Sequence, residues 1–306
     1  MLAHSVKRVV GAVPTLFILI TLAFFMMRLA PGGPFDAEKA LAPEVQANLD
    51  RIYHLDEPLP AQYARYLGNV VRGDLGPSFQ YQDWTVNELI ARGLPVSLRL
   101  GVTALVLALL LGVTAGTLAA LRQNAATDHA VMTAAMTGIS IPNFVMAPLL
   151  ILVFAVWLGW LPAGGWSGGA LRNMLLPVVV LTLPLVAYIA RLTRGSMIEV
   201  LRSDYIRTAR AKGLPERTVV LRHALRPALL PVVSFLGPAI AALLSGSLVV
   251  EQIFGLPGIG RYFVQGALNR DYTLVMGVVI FYGSLVIVMN VIVDLVYAWL
   301  DPKVRY

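Results

Sequence analysis

Few residues in this sequence have the chemistry for catalysis, and their spacing denies it to most of those. There is no cysteine, so disulfides, thiolate metal sites and cysteine nucleophiles are excluded together. His4, His54, His129 and His223 fall outside the long apolar runs or at their ends, where an intramembrane hydrolase would need one at depth. No His-Glu-x-x-His pair occurs to hold a catalytic zinc. No Gly-x-x-x-x-Gly-Lys-Ser/Thr loop occurs to cradle a nucleotide phosphate. Asp294 lies in the last apolar run with Asn290 about one turn earlier. An ionisable residue there is a functional candidate. Its alternative is an acid near a span end, paired with an arginine or lysine of a neighbouring helix. A lone acid is too little for a proton relay. Ser245, Gly246 and Ser247 either allow close helix packing or line a path.

The elements that would position such residues are membrane spans. Hydrophobic residues make up 58% of the chain and charged residues 13%, with a mean hydropathy of +0.73. A soluble domain carries about a quarter charged residues, and a bilayer core of about 30 Å takes about 20 apolar helical residues to cross. Six runs qualify: about Val9–Leu29, Ser97–Leu121, Val131–Leu158, Leu175–Leu192, Leu229–Val250 and Leu274–Trp299. The first follows Lys7 and Arg8 but is too long for a signal h-region and lacks a good cleavage site, so it is expected to be retained. Pro142, Pro148, Pro177, Pro184 and Pro238 in or near spans are expected to kink them.

With the N-terminus inside, the internal segments hold fourteen basic and five acidic residues, and the external ones eight basic and eleven acidic. This is the positive-inside bias. It places both termini in the cytoplasm and accounts for the pI near 9.8 without a nucleic-acid partner. The fold class expected is an all-α membrane protein of six transmembrane helices, N-in and C-in, in contact with membrane lipid.

Two segments outside the spans are long. The external one, about Ala30–Val96, opens on Pro31-Gly32-Gly33-Pro34. It then shows helical spacing at Val45, Leu49 and Ile52 within Pro43–Tyr53, and a second short helix around Tyr63, Tyr66, Leu67, Val70 and Val71. A small folded cap is predicted. Another external stretch, Glu251–Arg261, reads EQIFGLPGIGR. Glu251, Gly255, Pro257, Gly258 and Gly260 would make it a tight loop, either a plain turn or a re-entrant gate or docking surface.

The cytoplasmic stretch 193–226 is the most informative. Ser203 is placed to cap a helix, with Asp204 in its first turn. Tyr205, Arg207, Thr208, Ala209, Arg210 and Lys212 follow, and Gly213 suits the left-handed position after the helix. Pro215 can open a second helix. A short basic helix with Tyr205, Ile206 and Ala209 on one side is shaped to sit in a groove of another protein.

SDYIRTARAKGL at Ser203–Leu214 and RHALRPALLP at Arg222–Pro231 resemble the EAA-type coupling segment of binding-protein-dependent ABC importer permeases, in particular their peptide and nickel branch. The triplet positions are Arg207, Thr208 and Ala209, with Gly213 six residues after Arg207. Arg207 stands where the general pattern has Glu, and Leu230-Pro231 lies further from the glycine than that pattern expects. RLAPGGPF, RGDLGPSF, LPGIGRYF, RDY and the C-terminal DLVYAWLDPKVRY extend the resemblance along the chain. It implies a type I importer permease fold in the bacterial inner membrane. It also implies a heterodimer with a homologous C-type permease, two ATPase subunits that carry ATP and Mg, and an external peptide-binding protein. On that basis residues 1–93 comprise the first span and periplasmic cap, 94–300 the importer core with its coupling segment, and 301–306 a cytoplasmic tail. The expected function is the permease half of an ATP-driven oligopeptide importer, not itself an enzyme and holding no metal or cofactor. Dipeptide, murein-peptide or nickel import are the competing specificities, and a secondary transporter the competing class.

Overall fold

The computed structural model describes residues 2–29, 33 and 43–300. Pro31, Gly32 and Pro34 of the PGGP turn and the tail 301–306 lie outside the described residues, as does the side chain of Asp294. In chain order the helices are α1 Leu2–Leu29, α2 Pro43–Ile52, α3 Leu59–Val71, α4 Val86–Leu121, α5 Ala126–Ser140 and α6 Asn143–Leu150. The last continues in π register over Ile151–Trp157. Next come α7 Leu171–Leu201, α8 Asp204–Ala211, α9 Glu216–Thr218, a second π turn Val219–Ala224 and α10 Leu225–Ala228. The chain ends with α11 Leu230–Ile253, α12 Ile259–Leu268 and α13 Tyr272–Leu300. Among the described residues five helices are long and apolar enough to cross a membrane, or six if the bent pair α5–α6 is one span.

The break in that pair is sharper than the kink predicted: the two halves meet at 102°. Its cause is local. A residue preceding proline is pushed out of the helical region, and Ile141 before Pro142 is extended at φ −107°, ψ 117°. Pro177 and Pro184, by contrast, sit inside a continuous α7.

Two compact units divide the chain. The first contains 98–256, with 1–8 and 286–306. Its centre is α7, whose Val180, Ala187, Ile189, Ala190, Thr193 and Met197 are all buried. Helix α4 approaches it closely because Gly112 and Gly116 form a Gly-x-x-x-Gly seam, which lets backbones meet in a membrane. A β-carbon on Gly112 would stand 2.7 Å from the Ile189 side chain, and one on Gly116 2.5 Å from the Ala190 carbonyl oxygen.

The second unit contains 9–97 and 257–285. One cluster joins Ile20 and Phe24 of α1 to Tyr66 of α3 and Met276 of α13. Thr21 and Tyr63 are hydrogen-bonded at 2.5 Å. Helix α3 of the cap therefore folds onto the first span, at the position read from its spacing. A second cluster packs Val86, Leu89 and Ile90 against Ile259, Leu274 and Val278. This explains why α4 begins eleven residues before the predicted span: its first three turns are an amphipathic extension with their own partner.

Candidate coupling surface

The segment after α7 turns on itself. Ser203 is extended at φ −70°, ψ 154°, as a capping residue must be, but its hydroxyl donates back to the Val200 carbonyl at 2.6 Å and does not cap the helix. Asp204 stands in the first turn, where the helix dipole favours an acid. The helix ends in a Schellman arrangement. Leu214 N–H reaches the Ala209 carbonyl at 3.4 Å and Gly213 N–H the Arg210 carbonyl at 2.9 Å. Gly213 has φ +75°, the conformation a β-carbon resists. Pro215 sits one residue before the next helix, which starts at Glu216.

Helix α8 is split lengthwise. Ile206 is fully buried and Ala209 nearly so, in a cluster with Met197 of α7, Ala120 of α4, Val219, Val220 and Ala224 of the π turn, and Ala228 of α10. The apolar side expected to enter a partner's groove is thus partly consumed by the chain's own core. Burying it internally costs no second molecule and leaves a polar outer face. That face consists of Asp204, Tyr205, Arg207, Thr208 and Arg210, all exposed, and continues without a buried residue through Lys212 and Gly213 to Arg217. Arg207 pairs with Asp204 at 3.2 Å, both largely exposed. Arg210 forms a bidentate pair with Glu216 across the turn, at 2.6 and 3.1 Å. The hydrogen bonds from Arg210 hold the Glu216 carboxyl below its ordinary range, and those to Glu216 raise the Arg210 guanidinium.

Two contacts missed in the sequence anchor this surface. Arg194 of α7 holds the buried Asp128 of α5 through two bonds of 2.6 Å, and Asp128 also accepts from Asn124 N–H at 2.8 Å. Arg202 donates to Gln123 at 2.9 Å. The only sequence signal was an acid at the start of a span and two arginines in the basic stretch. Nothing in their spacing pairs residues sixty-six apart.

The other candidates lie elsewhere. Asn290 of α13 rests its side-chain oxygen against Gly237 of α11. Ser245 and Ser247 return their hydroxyls to helix carbonyls of Ala242 and Leu244, and Gly246 faces the Asn143 amide. Glu251 is not in a loop but in the last turn of α11, fully buried. Gly255, at φ +63°, ends α11 with the same pair of cap bonds seen at Gly213, from Leu256 to Glu251 and from Gly255 to Gln252. Gly258 precedes the unpredicted α12, and Gly260 lies inside it. Asp271 of the RDY motif caps α13, accepting from Leu274 N–H at 3.1 Å and from the Thr273 and Ser78 hydroxyls.

An all-helical, multi-span chain with a short polar-faced helix and a glycine-capped turn, set on a core built around one central span, has the architecture that the resemblance to ABC importer permeases implies. The comparisons agree. Residues 112–306 match the model described as "Binding-protein-dependent transport system inner membrane component", and residues 1–101 its N-terminal companion. The chain belongs to this family. It is 59% identical over 306 residues to the oligopeptide transport system permease protein OppB of Salmonella typhimurium, covering all of both chains. To the dipeptide transport system permease protein DppB of Bacillus subtilis it is 46% identical, over all of this chain and 98% of that one. Among solved structures, the inward-facing MetNI methionine ABC transporter aligns at a TM-score of 0.57 and 20% identity, over 70% of this chain and 96% of the matched one. That likeness is one of fold.

Proposed function

We propose that this chain is a permease subunit of an ATP-driven importer of oligopeptides. It forms half of the translocation path beside a homologous permease, and receives peptide from an external binding protein. The ATP and Mg chemistry resides on partner ATPase subunits. The observation that carries this reading is the split helix α8, cemented to α7 on one side and presenting Asp204, Tyr205, Arg207 and Thr208 on the other. A surface of that kind transmits force from a partner to the spans. Full-length identity to OppB favours oligopeptides as the cargo, and the lower identity to DppB makes dipeptides the second reading. Cross-linking from Asp204→Cys and Arg207→Cys in the cysteine-free background is expected to capture an ATPase chain, and Ile206→Cys, which is buried, is expected not to. Capture of no ATPase from either exposed position, with uptake driven by a proton gradient alone, would overturn the proposal.

A further inference from the structure

The unit holding the first helix and the cap contains a half-open cavity of about 170 Å³. Its walls include Phe24 and Arg28 of α1, Gln62 and Tyr66 of α3, and Tyr272 and Met276 of α13. The Arg28 guanidinium lies over the Phe24 ring at 5.4 Å and the Tyr272 ring at 5.1 Å, a cation held on aromatic faces.

Three buried polar atoms of residues that line this cavity have no hydrogen-bond partner among the described residues: Arg28 Nε, Tyr66 Oη and Gln62 Oε1. Gln62 and Tyr66 are themselves buried, and burial pushes the Tyr66 phenol up, so it stays a donor. The amide nitrogen of Gln62 is already engaged by the Leu55 and Glu57 carbonyls, which fixes its oxygen as the remaining acceptor. Among the described residues two nearby acids have partners, with Glu57 engaged through Oε1 while its Oε2 stays buried and unbonded. Glu57 pairs with Arg65 at 2.5 Å, and Asp271 accepts from Ser78, Thr273 and Leu274. Buried polar groups are nearly always partnered. Among the described residues no carboxylate pairs with the Arg28 guanidinium, and a cavity walled by that cation, a phenol donor and one amide acceptor is complementary to an anion that carries a donor beside it.

The position narrows the anion. Arg28 stands in the last turn of the first span, and the adjoining Phe25, Met26 and Leu29 are exposed and apolar. Basic and aromatic side chains at a span end lie at headgroup depth, and the volume far exceeds the roughly 10–15 Å³ that one water needs. We propose that this cavity binds the phosphate group of a headgroup, with Arg28 and Tyr66 donating to the phosphate oxygens and Gln62 accepting from the neighbouring ammonium or hydroxyl.

The test is a thermal-shift and native mass-spectrometric titration of the purified, delipidated full chain in its complex. The probes are dioleoylphosphatidylethanolamine, dioleoylphosphatidylglycerol and inorganic phosphate. The wild type is expected to retain and be stabilised by phospholipid, with affinity falling about tenfold or more in Arg28→Gln and about three- to tenfold in Tyr66→Phe. Tyr66→Phe keeps the ring, so it reads the site even if Arg28→Gln folds poorly. Stabilisation by inorganic phosphate alone, equally dependent on these residues, would keep the site and assign it to free phosphate. Equal binding of every probe by wild type and Tyr66→Phe, or binding by none, overturns the proposal.

Discussion

Replacing Gly213 separates conformation from space. A β-carbon there would meet nothing within 4 Å, so no neighbour resists it. The backbone does: φ is +75°. A left-handed conformation costs a β-carbon residue roughly 1–2 kcal/mol, more when the side chain is β-branched. The two cap bonds that this conformation secures are worth about 0.5–1.5 kcal/mol each, so the strain is of the same order as the cap itself. A change of 1–2 kcal/mol shifts the closed-to-open ratio of the turn by roughly 5–30-fold. Ile206 and Ala209 remain buried, so α8 keeps its seat while the exposed stretch after it loses its path. The series Gly213→Asn, Gly213→Ala, Gly213→Val is expected to lose labelled-peptide uptake in that order, Asn least because it tolerates the left-handed region. Membrane abundance should stay at the wild-type level. Uptake in cells carrying the complete importer, with immunoblotted membranes as the control, reads this directly. Normal uptake by Gly213→Val, or a loss that merely tracks abundance across the series, would refute the reasoning.

A second substitution probes packing and a third a charge pair. Gly116→Val places new carbon atoms against the Ala190 carbonyl and Thr193, so it is expected to destabilise the α4–α7 seam by about 1–3 kcal/mol, read as a lower apparent Tm of the purified chain. Gly195→Val, open on every side within 4 Å, is its control and should change Tm little. For the Arg210–Glu216 pair the sign follows from Glu216, whose carboxyl is depressed in the folded chain by hydrogen bonds from Arg210. Its contribution is present above the ordinary glutamate value of about 4.3 and is lost as pH falls through the depressed one. Both partners are more than a third exposed, so solvent screening limits the effect to about 0.2–1 kcal/mol. Glu216→Gln should therefore lower Tm slightly at pH 7 and progressively less as pH falls below the ordinary glutamate value, a difference that high salt should erase.

What the sequence disclosed follows the range of the forces involved. The spans, the cap helices at Pro43–Ile52 and Leu59–Val71, and the left-handed glycine at 213 are local outcomes of apolar runs, helical spacing and a backbone preference. Helix α12 was hidden because Gly255, Pro257, Gly258 and Gly260 read as one loop, whereas two of those residues end and begin helices and one lies inside α12. The amphipathic start of α4 was hidden because its polar residues break the apolar run, although Val86, Leu89 and Ile90 carry helical spacing. The Asp128–Arg194 pair and the inward turn of Ile206 depend on which helices meet, and no short-range pattern encodes that.

The placement of Ile206 and Ala209 changes what α8 can do. A helix lying loosely on the surface, with its whole apolar side in a partner, would swivel when the partner moved. Here the inner side packs on Met197 of α7 and Ala120 of α4, and the outer side is left exposed. The same end of α7 is tied to the α4–α5 turn and to α5 by Arg202–Gln123 and by the bidentate Arg194–Asp128. Packed apolar surface and a bidentate buried pair resist shear better than an exposed single bond such as Arg207–Asp204, because interiors are close-packed and transmit strain. A push on Tyr205 or Arg207 therefore arrives at α7 and α5 together. If α8 couples a partner ATPase to the spans, as proposed, that coupling depends less on the affinity of the outer face than on the stiffness of the inner one. A change at Ala209 that loosens its packing should impair transport even where ATPase binding persists.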